Sequence, residues 1–141
     1  MTSASTNRYY VTPEIETGNQ LIDSEHRQIF DAVNELLDAC SNGNGRQKIS
    51  ETAEFLASYV GKHFSDEEEL QKKYQYPNME KHMHFHIDYK RRVREFVAKM
   101  KNTGEVSIQD VGELNALASR LVNHIRQEDK RLAAYIREHS K

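Results

Sequence analysis

Four stretches of the chain carry apolar side chains at every third or fourth position, and this spacing determines what the chain can fold into. Such a period places the apolar residues on one face of a helix, whereas a half-buried strand would need strict alternation. Breaks rich in Gly and Asn, and Pro77, separate the stretches. The sequence therefore predicts four long helices, over residues of about 19–40, 46–74, 78–101 and 107–138.

The connections between these helices are short, so successive helices should run antiparallel. We therefore predict an all-α fold, an up-down-up-down antiparallel four-helix bundle with an N-terminal arm. A chain of 141 residues is long enough for one domain with a single core. We assign residues 1–18 to the arm, because Pro13 and Gly18 disfavour helix, and residues 19–141 to the bundle.

Charge and composition exclude several classes of partner. The formal net charge is only -2, which favours neither nucleic acid nor an anionic membrane. Nothing approaches the roughly 20 apolar residues of a membrane span, and the N-terminus does not look like a secretory signal. The single cysteine, Cys40, allows no internal disulfide and permits a reducing compartment. We expect a cytoplasmic protein that binds neither nucleic acid nor membrane; its protein partner is unknown.

Histidine and carboxylate side chains interrupt the apolar faces where leucine or isoleucine is expected. A single histidine there would be a core residue with one hydrogen bond. Burying five imidazoles and two carboxylates without partners, however, would cost several kcal/mol per ionised group, and metal ions would remove that cost. His84 and His139, the two other histidines, should be exposed. The candidate ligands are His26, His63, Glu67, His82, His86, His124 and Asp129.

The spacing of the candidates supports a shared site. On the second and third helices they come in pairs four residues apart, which places both members on one face. On the fourth helix His124 and Asp129 are five residues apart, which is about 140° on a regular helix. We expect this pair to reach two different ions, or to flank one bridging position, rather than to chelate one ion together.

The ligand types narrow the metal. Five imidazoles, two bridging carboxylates and a bridging oxide or hydroxide would leave one open position on a pair of six-coordinate ions. Structural zinc prefers a closed site with cysteine, and calcium and magnesium prefer oxygen ligands. Iron, manganese, cobalt and nickel suit this set, and availability favours iron. The Glu-x-x-His motif of ferritin-like oxidases is absent from the sequence.

Four segments give the chain a resemblance to the hemerythrin family, in particular to its bacterial single-domain branch. The resemblance covers nearly the whole chain from about Gly18 onward. The matching segments are Ile22-Asp23-Ser24-Glu25-His26, His63-Phe64-Ser65-Asp66-Glu67-Glu68, Tyr76-Pro77 followed by His82 and His86, and Leu121-Val122-Asn123-His124-Ile125 followed by Asp129.

The resemblance implies a non-haem di-iron centre, two iron ions (Fe2+/Fe3+) with a bridging oxide or hydroxide, that binds dioxygen reversibly. One iron would keep an open position, and Leu121 would help to shield the ligand bound there. The implied roles are His82, His86 and His124 on one iron, His26 and His63 on the other, and Glu67 and Asp129 as bridges.

Function is therefore expected to be oxygen carriage, storage or delivery, and we expect no enzyme and no catalytic residue. Two alternatives stay open: an oxygen or redox sensor module, and a weak di-iron peroxidase or ferroxidase. Family members often carry tryptophan where this chain has Arg120, and we expect a polar residue there to admit water to the oxygen pocket.

Overall fold

The computed structural model describes residues 9–42, 46–102 and 107–140. Helices occupy most of these ranges, which contain no strand, and a π-helical turn joins the last two helices into one continuous rod. Every predicted helix end lies within one residue of the observed end. The elements are α1 (Gln20–Ser41), α2 (Arg46–Lys73), α3 (Met79–Asn102), α4 (Ile108–His124), the π turn (Ile125–Asp129) and α5 (Lys130–Glu138).

The helices pack as a four-helix bundle, as predicted. Helix α2 lies between α1 and α3, and α4 closes the bundle by packing against both α1 and α3. Local signals position the helix ends. Asn19 caps α1 by accepting a hydrogen bond from the Ile22 backbone N–H, and Ser107 with Asp110 forms the capping box that starts α4.

Apolar side chains form two clusters of unequal size. The large apolar cluster includes Ile29, Phe30, Phe64, Leu121 and Ile125 and extends away from the site along all four helices. The small apolar cluster consists of Ile22, Tyr76, Leu132 and Ile136. Along α1, Ile22 of the small cluster precedes His26 and Ile29 of the large cluster follows it. The candidate ligands therefore form a polar layer between two apolar ones.

The described part of the N-terminal arm, residues 9–18, packs along the bundle. Ile15 is buried in the large apolar cluster. The Tyr9 backbone exchanges two hydrogen bonds with the Asn34 side chain, each 2.9 Å. Residues 1–8 of the predicted arm, and residue 141 of the predicted bundle, lie outside the described ranges. Within those ranges no helix combines the length and the apolar composition needed to cross a membrane.

Candidate metal centre

All seven candidate ligands are buried, and the most exposed of them, His124, shows only 6% of its surface. Their donor atoms form two groups, each with all its atoms within 4.8 Å of one another. We call these the three-histidine group and the two-histidine group. The first contains His82, His86, His124 and Glu67, and the second contains His26, His63, Glu67 and Asp129.

Glu67 lies between the two groups. Its Oε1 is 3.1 Å from His86 Nε2 and 3.4 Å from His82 Nε2. Its Oε2 is 3.5 Å from His63 Nε2 in the two-histidine group. Each oxygen of this carboxylate therefore faces a different group, which is the arrangement that a bridging ligand needs.

Asp129 repeats this arrangement from the opposite side. Its Oδ2 is 3.0 Å from His26 Nε2 in the two-histidine group. Its Oδ1 is 3.0 Å from His82 Nε2 and 3.2 Å from His124 Nε2. The three-histidine group is thus surrounded by five protein donors, and the two-histidine group by four.

The π turn overturns the assumption of a regular helix between His124 and Asp129, while Asp129 still contacts both groups, as a residue at a bridging position would. In the π turn the Lys130 N–H bonds to the Ile125 carbonyl, five residues earlier, so the turn is wider than an α-helical one. Residues five apart then come to one face, and the separation of about 140° on a regular helix does not apply. His124 and one Asp129 oxygen therefore approach the same position instead of diverging.

The donor geometry fits a pair of cations. Two ring nitrogens, His82 Nε2 and His124 Nε2, lie 2.9 Å apart. His63 Nε2 and Glu67 Oε2 are buried with no hydrogen-bond partner among the described residues. Nitrogen and oxygen ligands bound at right angles at about 2.1 Å from one ion lie about 3 Å apart. The observed separations match that value, so an ion in each group would satisfy the unpaired atoms.

Electrostatics favours cation binding in the same place. Burial opposes a charge on His82, but the hydrogen bonds that its ring donates to Asp129 and Glu67 outweigh the effect of burial and raise the pKa of His82 to about 10. Burial and the Asp129 charge oppose ionisation of Glu67, yet His63, His82 and His86 lower its pKa to about 2. Without an ion, the cluster balances its carboxylates with protons, which a bound cation would displace.

Two acidic residues that the sequence analysis missed stand behind the ligand rings. Glu25 Oε1 accepts a hydrogen bond of 2.9 Å from His63 Nδ1, and Glu25 Oε2 accepts one of 3.0 Å from Lys62. Glu68 Oε2 lies 3.0 Å from His86 Nδ1. Such acceptors orient a ligand imidazole and increase its basicity. Each directly adjoins a candidate ligand in sequence, which is the signal that could have identified them.

The structure also places three other residues that the sequence analysis named: Leu121, His84 and His139. Leu121 is fully buried and packs in the large apolar cluster with Ile125. His84 and His139 are exposed, as predicted. His139 lies just beyond α5, where its ring nitrogen Nδ1 contacts the Tyr135 carbonyl at 2.8 Å. Neither of these two histidines belongs to a ligand group.

Arg120 lies at the surface beside the three-histidine group. Its guanidinium bonds to Asp88 at 2.9 Å and lies 5.6 Å from the centre of the Phe85 ring. Phe85 in turn stacks on the His124 ring, with centroids 3.7 Å apart. Arg120 therefore covers the outer side of the three-histidine group from the surface and does not place its charge in the interior.

Comparison with known proteins identifies the family. The sequence profile described as the Hemerythrin HHE cation binding domain matches residues 17–136. The chain belongs to the hemerythrin family. Its resemblance to that family is thus confirmed, and a domain of this kind that contains two groups of buried donors is a metal-binding domain.

Related hemerythrins cover most of the chain. A bacteriohemerythrin of Pseudomonas aeruginosa is 38% identical over 118 residues, which are 82% of this chain and 73% of the relative. A bacteriohemerythrin of Methylococcus capsulatus is 33% identical over 122 residues, 86% of this chain and 90% of the relative. The crystal structure of a hemerythrin point mutant superposes with a TM-score of 0.75 at 26% identity, covering 85% of this chain and 89% of that one.

Proposed function

We propose that this hemerythrin binds dioxygen reversibly at a non-haem di-iron centre and acts as an oxygen carrier, store or delivery protein. The observation that carries the proposal is the inequality of the two ligand groups. The Asp129 distances give the three-histidine group five protein donors and the two-histidine group four. The ion in the two-histidine group would therefore keep a position for a small ligand.

Each ligand has a separate part in this proposal. When bound, a pair of ferrous ions would supply the two electrons and the open position that dioxygen needs. Glu67 and Asp129 would hold the ions at a fixed separation, together with a bridging oxide or hydroxide. His82, His86 and His124 would hold the first iron, and His26 and His63 the second.

The surrounding apolar residues would keep the oxygen complex reversible. Leu121 and Ile125 are fully buried, and Ile29 is 1% exposed. All three belong to the large apolar cluster, and each lies within one helical turn of a candidate ligand. By excluding water, these side chains would slow the entry of protons, and proton entry is what allows oxygen to leave in reduced form.

The experiment is a spectroscopic titration of the iron-loaded protein. We expect two irons per chain, a nearly colourless reduced form, an absorption band on exposure to air, and loss of that band when oxygen is removed. His84→Ala is the matched control and should behave as the wild type, because His84 is exposed. One iron per chain, or a band that persists after oxygen removal, would contradict the proposal.

A sensor role is the second candidate, and the contacts of the arm favour it. The Arg126 side chain, within the π turn, bonds to Glu14 at 2.6 Å, and Lys130 bonds to the Glu14 carbonyl at 2.8 Å. A change at Asp129 could thus reach the arm directly. If the protein is a sensor, oxygen should alter the protease sensitivity of residues 9–18; equal cleavage rates with and without oxygen would argue for a carrier.

We further propose that the protein is not an enzyme and that it functions in the cytoplasm. The histidine-rich ligand set is poorly suited to stabilising high-valent iron, and His26 and His63 of the two-histidine group are fully buried. Steady turnover of a reducing substrate with peroxide, or of ferrous ions with oxygen, would instead identify a peroxidase or ferroxidase. The single cysteine is consistent with a reducing compartment.

A further inference from the structure

Gln71 is the one fully buried glutamine in the described residues, and its role is not explained by the ligand set. Neither its Oε1 nor its Nε2 has a hydrogen-bond partner among the described residues. Leaving such a group unsatisfied costs about 1–3 kcal/mol, so a buried amide without a partner calls for a physical explanation.

The contacts of Glu67 and Tyr76 indicate that Gln71 lies on the side of α2 that meets His82. Gln71 follows Glu67 by one helical turn and shares its face of α2, and Glu67 Oε1 lies 3.4 Å from His82 Nε2. The Gln71 carbonyl also accepts a 2.9 Å hydrogen bond from the Tyr76 backbone. The Tyr76 and His82 rings meet edge to face with centroids 6.4 Å apart. His82 therefore lies between Glu67 and the turn that begins at Gln71.

His82 also has an unsatisfied atom on the side away from the ligand cluster. Its Nδ1 is buried and has no hydrogen-bond partner among the described residues. A metal-bound histidine almost always donates this second ring N–H to an acceptor. His63 and His86 do so to Glu25 and to Glu68. His82 needs an equivalent acceptor that the ligand set does not provide.

His26 Nδ1 is likewise without a partner in the described ranges, but Gln71 is poorly placed to serve it. The His26 ring packs against His63, with centroids 4.6 Å apart. His63 precedes Gln71 by two turns of α2, about 12 Å along the helix axis. A helical side chain also points back towards the preceding turn, which here is that of Glu67. His82 Nδ1 is thus a better match for the Gln71 side chain than His26 Nδ1 is.

We propose that Gln71 is a positioning residue for His82 and acts through one buried water. The water accepts a hydrogen bond from His82 Nδ1–H and donates one to Gln71 Oε1. This arrangement fixes the proton on Nδ1 and leaves Nε2 free to bind a metal ion. It also makes His82 different from His63 and His86, because its distant acceptor is a neutral amide and not a carboxylate. The inference rests on His82 being a metal ligand, and it does not require oxygen binding.

The test compares the same substitution at two places on α2. Gln71→Met keeps the approximate length of the side chain and removes both polar atoms, while Gln47→Met makes this change at an exposed position. Loss of an acceptor behind a metal ligand typically costs 10–100-fold in affinity. Because the water leaves the contact indirect, we expect iron transfer to a competing chelator to become easier by about tenfold in Gln71→Met, and to be unchanged in Gln47→Met.

A second measurement separates positioning from a general effect on packing. In the iron-loaded protein labelled with 15N-histidine, Gln71→Met should shift the ring N–H resonance of His82, identified by its contacts with Tyr76. The resonances of His63 and His86 should stay in place. Gln71→Glu, which retains an acceptor of the same reach, should restore the His82 resonance towards its original position.

Three results would overturn the inference. The first is wild-type iron retention with an unmoved His82 resonance in Gln71→Met. The second is an equal shift of the His63, His82 and His86 resonances, which would indicate loosened packing. The third is failure of Gln71→Glu to restore the His82 signal while the protein remains folded and iron-loaded. Failure of the wild type to bind two irons would instead count against the proposed function.

Discussion

The two ligand groups differ in how close they lie to solvent. The three-histidine group is near the surface, because a surface pocket of about 270 Å3 is lined by His82 and His124. The two-histidine group is deeper, since His26 and His63 are both 0% exposed. The group with more protein ligands thus lies nearer to water, and the group with fewer lies in the interior of the bundle. An open metal position would therefore be protected from water by its place in the bundle.

The acidic residues behind the two groups show the same contrast. The Glu25 side chain, behind His63, is only 3% exposed and is fixed by Lys62. The Glu68 side chain, behind His86, is 22% exposed, so water can compete for its oxygens. The deeper group therefore has the more rigid support.

Removing either bridging carboxylate should abolish the difference between the two ligand groups. Glu67→Ala and Asp129→Ala each delete a carboxylate that contacts both groups, so we expect both ions to be lost. Iron per chain, measured after loading and desalting, should fall from two towards zero in either variant. His84→Ala should keep full occupancy, and iron loss from that variant equal to that of Glu67→Ala would show that the ligand face of α3 has been misassigned.

Lowering the pH should release iron, because protons compete with the metal ions for the histidine ring nitrogens. The raised pKa of His82, about 10, means that its proton stabilises the metal-free fold fully below the ordinary histidine pKa, and that this contribution is lost as pH rises through about 10. Iron must displace that proton near neutral pH. Apparent affinity should therefore fall by up to about tenfold per pH unit for each proton displaced. Chelator competition at several pH values measures this slope, and an affinity independent of pH would contradict it.

The fold was largely predictable from the sequence, because helix packing follows the apolar period. Residues such as Ile49, Leu56, Val93 and Leu114 occupy the inner faces that their spacing predicted, and all are buried. The break at Pro77 also lies where it was predicted, and Ser107 and Asp110 form a local capping box at the predicted start of the fourth helix. These features depend on contacts within one turn or within one helix, and such contacts can be recognised from sequence alone.

The details of the site were less predictable, because they depend on contacts between helices. No recognisable local motif encodes the π turn. The five-residue spacing of His124 and Asp129 was therefore interpreted with the geometry of a regular α-helix. Glu25 was given no role in the sequence analysis, because its contact with His63 joins two helices and residues that are 38 positions apart. Gln71 was not considered in the sequence analysis, although it is fully buried.

Weakening the two acidic supports should affect the groups unequally. Glu25→Gln keeps the size of the side chain but removes the charge that holds His63, so we expect about 10–100-fold weaker iron retention. Glu68→Gln should cost less, under about tenfold, because water can replace its contact with His86. The comparison is the rate of iron transfer to a chelator, and a larger loss in Glu68→Gln would mean that exposure does not govern the strength of support.

The smallest expected effect concerns the apolar residues that shield the open metal position. Two buried leucines of α4 provide a matched pair of substitutions. Leu121 and Leu114 are 0% and 1% exposed, and truncation of either should lower the free energy of unfolding by about 2–5 kcal/mol. Only Leu121 lies one turn from His124. Leu121→Ala should therefore speed irreversible oxidation several-fold with iron content unchanged, because water enters beside the open position.

Leu114→Ala controls for the cavity itself. It opens a similar void more than two turns from the ligands, so its oxidation rate should match that of the wild type even if its unfolding temperature falls equally. Oxidation is followed as the decay of the oxygen-dependent absorption band in one buffer. Equal acceleration in both variants would attribute the effect to loosened packing. No acceleration in Leu121→Ala would mean that the open position faces another part of the interior.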